Sequence, residues 1–225
     1  MKLAKAHLDV GLFTNNEQAM LEFWQHEVGL AFEETLPLGG AVRQHRHAMN
    51  GSVLKLNTAR DPLNEAPSSG YRELVIARAG VDAPRILIDP DGNHVLLVSP
   101  GHDGVAGIHV RMAVRNADTM RRFFASAMQF DELSAQTYRC GDSLVTFEQN
   151  ASAARTEPMR ARGFRYLTVQ VYDVDAEHQG IIDRGGEEGR PPVTLGTTAR
   201  VSFVRDPDGN WIEISQRVSL TGPLD

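Results

Sequence analysis

Short runs of alternating apolar and polar residues recur along this chain in a fixed order. The first half opens with a period-two run around His7-Leu-Asp-Val-Gly-Leu-Phe13, then a helical stretch from Asn15 to Trp24, then a second run at Val28–Glu33. The second half repeats this with His109–Arg115, a helical stretch from Asn116 to Phe124, and Met128–Asp131. Alternation marks a half-buried strand, and a short polar residue ahead of an apolar 3.6-residue pattern marks a helix start. Asn15 or Asn16 and Asn116 are the expected N-caps, because their side chains can accept from a free first-turn amide. Further strands are predicted at about Val42–His47 and Ser52–Asn57, and again at Gln136–Arg139 and Leu144–Glu148.

The pentapeptide Asp-Pro-Asp-Gly-Asn occurs twice, at Asp89–Asn93 and Asp206–Asn210, each time between strand-like runs. Proline presets a turn and Asp-Gly tolerates positive φ, so each copy is predicted to close a hairpin. The repetition indicates an internal duplication. Four modules follow, A to D in chain order, of the pattern βαβββ. Module D spans Arg165–Ser215, with a helix expected near Ala176–Arg184. Module B, Tyr71–Ser99, is shorter: 16 positions separate Glu73 from Asp89, against 40 from Tyr166 to Asp206. The missing stretch corresponds to the helix, so B is predicted to be reduced to strands. Linkers are expected at Thr58–Ser69, Gly101–Gly107 and Asn150–Gly163.

Composition narrows the classes. The net charge of −6 gives no basic face for nucleic acid. No apolar run is long enough to span a bilayer, so a soluble, cytoplasmic protein is expected. With Cys140 as the sole cysteine, an intrachain disulfide and a cysteine-rich zinc site are excluded. Cys140 is expected to be a buried or edge thiol.

Alternation also sorts the strand faces. In module C, Val110, Met112 and Val114 face the helix and leave His109, Arg111 and Ala113 on the other side. In D, Leu167, Val169 and Val171 pack inward and leave Tyr166, Thr168, Gln170 and Tyr172. The last strand buries Ile212 and Ile214 and turns Trp211, Glu213 and Ser215 the other way; the strand before the C/D linker leaves Thr146 and Glu148. A sheet face carrying His, Tyr, Gln, Glu and Trp is suited to lining a cavity.

His109-Val-Arg-Met-Ala-Val with the Phe123-Phe124 helix, together with Asp206-Pro-Asp-Gly-Asn-Trp-Ile-Glu213, resembles the vicinal oxygen chelate superfamily. That group contains glyoxalases, bleomycin resistance proteins and extradiol dioxygenases. The resemblance runs from about residue 5 to 217 and implies an α+β fold: tandem βαβββ modules forming two cup-shaped mixed sheets, with module B reduced. It implies an N-terminal domain over 1–100 and a C-terminal domain over 105–218. Modules A with B and C with D are the preferred pairs; A with D and B with C is the alternative, as in some fused glyoxalases, and it implies one site of His7, Lys55, Tyr166 and Glu213 and another of Glu73, Leu96, His109 and Thr146 or Glu148, which could hold a metal through Glu73, His109 and Glu148.

In that family one divalent metal sits in the cup on first-strand histidines and last-strand carboxylates. Carried over, His109 and Glu213 are the expected metal ligands, for iron, zinc, manganese or nickel. Tyr166 stands where a second histidine is usual, and it and Glu148 are candidates for proton transfer. Trp211, Gln170 and Arg111 are candidates for substrate contact. In module A, His7 matches the first-strand ligand but Lys55 falls where a carboxylate is expected, Glu73 replaces the B histidine and Leu96 the terminal glutamate. Lys55 and Glu73 are therefore expected to pair in an N-terminal site that has lost its metal.

The basic sets Arg43, His45, His47 and Arg155, Arg160, Arg162, Arg165 read as solvated faces, with anion binding as the alternative. The implied function is a metal-dependent enzyme for a small molecule with vicinal oxygens, a glyoxalase-type lyase or isomerase or an extradiol-dioxygenase-like oxygenase. The alternative is a metal-free binder of the bleomycin-resistance type. A small-molecule partner follows, with no nucleic acid or membrane; a homodimer is compatible with such edge strands.

Overall fold

A computed structural model describes residues 1–224. Module A supplies β1 (Asp9–Thr14), α1 (Glu17–Glu22), β2 (Ala31–Gly39), β3 (Val42–Met49) and β4 (Ser52–Ala59). B supplies β5 (Tyr71–Ala77), β6 (Arg85–Ile88) and β7 (His94–Val98), and has no helix. C supplies β8 (Ile108–Val114), α2 (Ala117–Arg122), β9 (Asp131–Glu132), β10 (Thr137–Cys140) and β11 (Ser143–Gln149). D supplies β12 (Gly163–Gln170), α3 (Val174–Asp183), β13 (Glu187–Leu195), β14 (Ala199–Arg205) and β15 (Trp211–Arg217), followed by the short α4 (Val218–Thr221).

Both pentapeptides form the same turn. The Asp89 carboxylate accepts from the amides of Asp91 and Asn93 and from Asn93 Nδ2, at 2.7–3.0 Å; Asp206 accepts from Asp208, Asn210 and Asn210 Nδ2 at 2.8–2.9 Å. The aspartate thus satisfies the turn's free amides, and the glycines take the positive φ, 85° and 78°, that a side chain would resist. Asn116 and Asp173 cap their helices through the side chain, whereas Asn16 makes no such bond. The first two helices widen into π turns at Phe23–Glu27 and Phe123–Ala127. A wider turn brings neighbouring side chains nearer to one face, and here it lets Phe23 with Trp24, and Phe123 with Phe124, all enter the core.

The strands assemble as two mixed sheets, which confirms the α+β cupped architecture. One has the order β13-β14-β15-β12-β1-β4-β3-β2, the other β6-β7-β5-β8-β11-β10-β9. The pairing is therefore A with D and B with C, not the preferred A with B and C with D. β1 runs antiparallel to β12, with Asp9 opposite Thr168 and Gly11 opposite Tyr166; β5 runs antiparallel to β8, with Glu73 opposite Arg111. The physical reason is that a hairpin closes a module internally but leaves its first strand with an open edge of the same alternation in every module. The edge that fills it is chosen by packing across the whole chain. One core cluster, from Leu8 to Ile214, draws on all four modules and lies between the helix-bearing faces. Each sheet thus combines a segment of 1–100 with a segment of 105–218.

Candidate active site

The A/D sheet curls around a cavity of about 540 Å³. Its walls are mainly apolar, from Phe13, Leu36, Val42, Met159, Val201 and Phe203, and polar groups converge on its floor: Lys55, Tyr166, Glu213, Gln44 and Ser215. Such a combination is what small-molecule sites present.

Lys55 is the centre of the floor. β4 lies parallel to β1 with Lys55 beside Gly11, and β12 lies parallel to β15 with Thr168 beside Glu213. This register brings Lys55 Nζ to 2.6 Å from Glu213 Oε2 and 2.7 Å from Thr168 Oγ1, and Thr168 donates to the same Oε2 at 2.7 Å. One hydrogen of the ammonium and the whole of Glu213 Oε1 have no protein partner among the described residues. Burial lowers the Lys55 pKa, opposed by the carboxylates of Glu213 and Asp9.

Tyr166 completes the floor. Its ring crosses β1 at Gly11, where a Cβ would collide with Tyr166 Cε1 and Cζ. The hydroxyl accepts from Gln44 Nε2 at 3.3 Å and Asn57 Nδ2 at 3.2 Å, so its proton is left to point elsewhere. Asn57 is fixed by the carbonyl of Leu12 at 2.9 Å, and Gln44 by Asn57 Oδ1 at 2.9 Å. Burial and the nearby Glu213 charge raise the phenol's pKa, so it stays a donor.

Counting back seven positions from the helix caps Asn16, Asn116 and Asp173 gives Asp9, His109 and Tyr166. Asp9, not His7, therefore holds the first-strand place in module A. Its carboxylate is fully buried and already accepts from Lys5 at 2.6 Å, the Val53 amide at 2.9 Å and Gln170 at 3.2 Å. His7 lies before β1, its Nε2 3.9 Å from Asp142.

The expected site residues divide between the two sheets. Tyr166, Glu213, Gln170 and Trp211 belong to A/D; His109, Arg111 and Glu148 belong to B/C. His109 and Glu213 line different cavities and share no ion. Lys55 pairs with Glu213 instead of Glu73, and Glu73 binds Arg111 at 2.7 Å. Trp211 has the expected face but is covered, its Nε1 donating to the Glu157 carbonyl, so Phe203 forms the wall in its place. Gln170 is buried beside Asp9 and does not line the cavity. Arg43, His45 and His47 sit on the helix side of β3, where Arg43 and His45 meet Glu17.

The B/C cup holds a larger cavity of about 1130 Å³, lined by Glu73, His94, His109, Arg111, Thr146 and Glu148 among others. His109 Nε2 is 2.8 Å from Thr146 Oγ1, while its Nδ1 is buried without a partner. Val75, Ala77, Leu96, Val98, Val105 and Leu144 fill the rest of that cup. Among the described residues no three His, Cys, Asp or Glu side chains are grouped to hold a metal.

His109 and the fully buried His47 are both depressed to about 4, chiefly by burial, with Arg111 and His45 respectively adding to it. In the unfolded chain each titrates near its ordinary value of 6.5. Between those values the unfolded state binds the extra proton, so the stabilisation is present above pH 6.5 and is lost as pH falls toward 4. The loss should be about 3 kcal/mol per imidazole at pH 4. Urea melts from pH 7 to 4 should show a shallower decline for His47→Gln and His109→Gln; an unchanged slope would refute the assignment.

Residues 108–214 match the Glyoxalase/Bleomycin resistance protein/Dioxygenase superfamily. Over 126 residues it is 27% identical to a probable lactoylglutathione lyase of Synechocystis sp., covering 50% of this chain and 95% of that protein. The fold is similar to that of glyoxalase I from Zea mays, with a TM-score of 0.71 at 12% identity over 93% of this chain and 92% of that one. A putative dioxygenase from Bacillus subtilis gives 0.68 at 11% identity, covering 96% and 86%. No described helix is long and apolar enough to cross a membrane.

Proposed function

We propose that this chain is an enzyme that moves a proton at a carbon next to a carbonyl of a small molecule, a lyase or isomerase reaction of the glyoxalase type, in the A/D cup. The observation that carries this reading is the Lys55–Glu213 pair, which faces the cavity with one N–H and one carboxylate oxygen unused. Lys55 N–H and Tyr166 O–H hold the substrate's carbonyl oxygen. Glu213 Oε1 takes the proton from the adjacent carbon, the electron pair moves onto the oxygen, and the two donors stabilise the charge that develops. Glu213 then returns the proton to the former carbonyl carbon, while the proton of the substrate's own neighbouring hydroxyl passes to the charged oxygen, so that carbonyl and hydroxyl exchange places.

The superfamily generally uses a divalent metal, and the donor set here does not fit one. Of the four places that would surround it, Asp9 is already engaged by Lys5, Val53 and Gln170, Tyr166 is a phenol held in its neutral form, and Lys55 puts an ammonium against Glu213. An ammonium repels a cation and supplies positive charge of its own. The dioxygenase reading also lacks its histidines in this cup.

Protein stripped with EDTA, in D2O, is the test. Lactoylglutathione, the compound in the Synechocystis relative's name, and a panel of small 2-hydroxycarbonyl compounds should exchange the proton beside the carbonyl, followed by NMR at the same rate with and without EDTA. Exchange that appears only after a divalent metal is added would overturn the metal-free reading. Tight binding with no exchange would favour the bleomycin-resistance type of function.

A further inference from the structure

The charge around the A/D cavity is one-sided. Its lining carries Lys55, Arg160, Arg190 and Arg217 against a single carboxylate, Glu213, in a chain of net charge −6. Lys55 is neutralised by Glu213, and Arg217 lies 3.9 Å from Glu34. Arg160 and Arg190 have no acidic partner within 4 Å among the described residues, whereas their basic neighbours do: Arg155 with Glu157 and Glu187, Arg162 with Asp91, Arg205 with Glu157. Of the three arginines that line the cavity, these two are the ones without an ion pair.

Their placement flanks the mouth. Arg160 reaches across to Gly40 in the β2–β3 turn, and Arg190 on β13 lies over the rings of Phe203 and Trp211, 5.8 and 5.6 Å from their centroids. Between them the mouth is apolar: Leu38, Val193 and Leu195 line it and are 44%, 51% and 50% exposed. Half-exposed aliphatic side chains at a cavity entrance gain by covering an apolar ligand. Two guanidiniums without partners gain by receiving an anion, for which their forked donors are shaped.

We infer that the substrate of this cup is an apolar-bodied anion, its carboxylate, sulfonate or phosphate received by Arg160 and Arg190 while its body lies on the aliphatic mouth. The inference rests on the proposed site for where the reacting carbon lies, but recognition can be tested without turnover. The probes are 1-anilinonaphthalene-8-sulfonate and N-phenyl-1-naphthylamine, which share an aromatic body and differ in the sulfonate. Fluorescence titration of the full chain should show the anionic dye binding at least about tenfold tighter than the neutral one.

Arg160→Gln with Arg190→Gln, both surface positions, should weaken the anionic dye about 10–100-fold and leave the neutral dye unchanged. Val193→Asp, also exposed, should weaken both. Equal affinity of the two dyes for wild type, no binding of either, or undiminished anionic binding by the double glutamine variant would each overturn the inference. Glu213→Gln should keep the dye discrimination. Loss of discrimination with proton exchange intact would therefore sink this inference alone, and loss of exchange with discrimination intact would sink only the proton-transfer reading.

Discussion

Glu213→Gln should lower the rate of carbon-proton exchange by about 10²–10⁴-fold, the usual contribution of a positioned general base. The amide keeps the size of the carboxylate and can still accept from Thr168 and Lys55, which hold Oε2 at 2.7 and 2.6 Å. It cannot take up a proton. The effect should fall on the chemical step, with kcat reduced and the affinity for a bound substrate analogue preserved within a few-fold. Single-turnover exchange in D2O separates the two. An unchanged rate would move the base out of this cup, and Glu148 in the B/C cavity would become the residue to examine.

Lys55→Met should cost about 3–5 kcal/mol of stability, because removing one member of a buried pair leaves the other charge uncompensated. The Lys55 side chain is 4% exposed and that of Glu213 13%, so little water is at hand to replace the ammonium. Arg46 is not a substitute, since it is bound to Gln44 and Glu34. The double variant Lys55→Met with Glu213→Leu should recover most of the loss, since apolar replacements of both partners avoid the desolvation cost. Urea denaturation of the two singles and the double measures the coupling. A single variant that loses less than about 1 kcal/mol, the range of an exposed pair, would show that the pair is not buried in solution.

Local features of this fold were legible in the sequence because they are encoded locally. The two Asp-Pro-Asp-Gly-Asn hairpins, the helix start at Asn116, the missing helix of module B and the cavity-facing side of Tyr166 and Glu213 all follow from turn chemistry and period, whereas the module D helix begins at Val174, capped by Asp173, ahead of the expected Ala176. Module pairing does not, since β1 and β5 offer similar edges and only the assembled core distinguishes β12 from β8 as partner. The rest follows from it: pairing C with D sets His109 beside Glu213 and pairing A with B sets Lys55 beside Glu73, whereas the two sheets separate both pairs. Asp9 is masked in the sequence by His7, a standard ligand type two positions away; the seven-residue spacing back from the helix cap is the signal that identifies it. The glycine at position 11, in a strand that otherwise alternates, was a further usable signal, since an aromatic ring needs that space. Trp211 shows the limit of face assignment, which gives the side of a sheet but not the loop that covers it.

The route of the chain between sheets sets the order in which the cup can be completed. β1 ends at Thr14 and its neighbour β12 begins at Gly163, so during translation the first module waits with one edge open while modules B and C are made. At about 5–20 residues per second that interval is roughly 8–30 s. An open strand edge is a template for pairing with another chain, so a nascent polypeptide stalled before Gly163 exposes the apolar ladder Val10–Phe13 to its neighbours. Slowed synthesis across the C/D linker should therefore aggregate this protein even though its finished form leaves that edge fully covered.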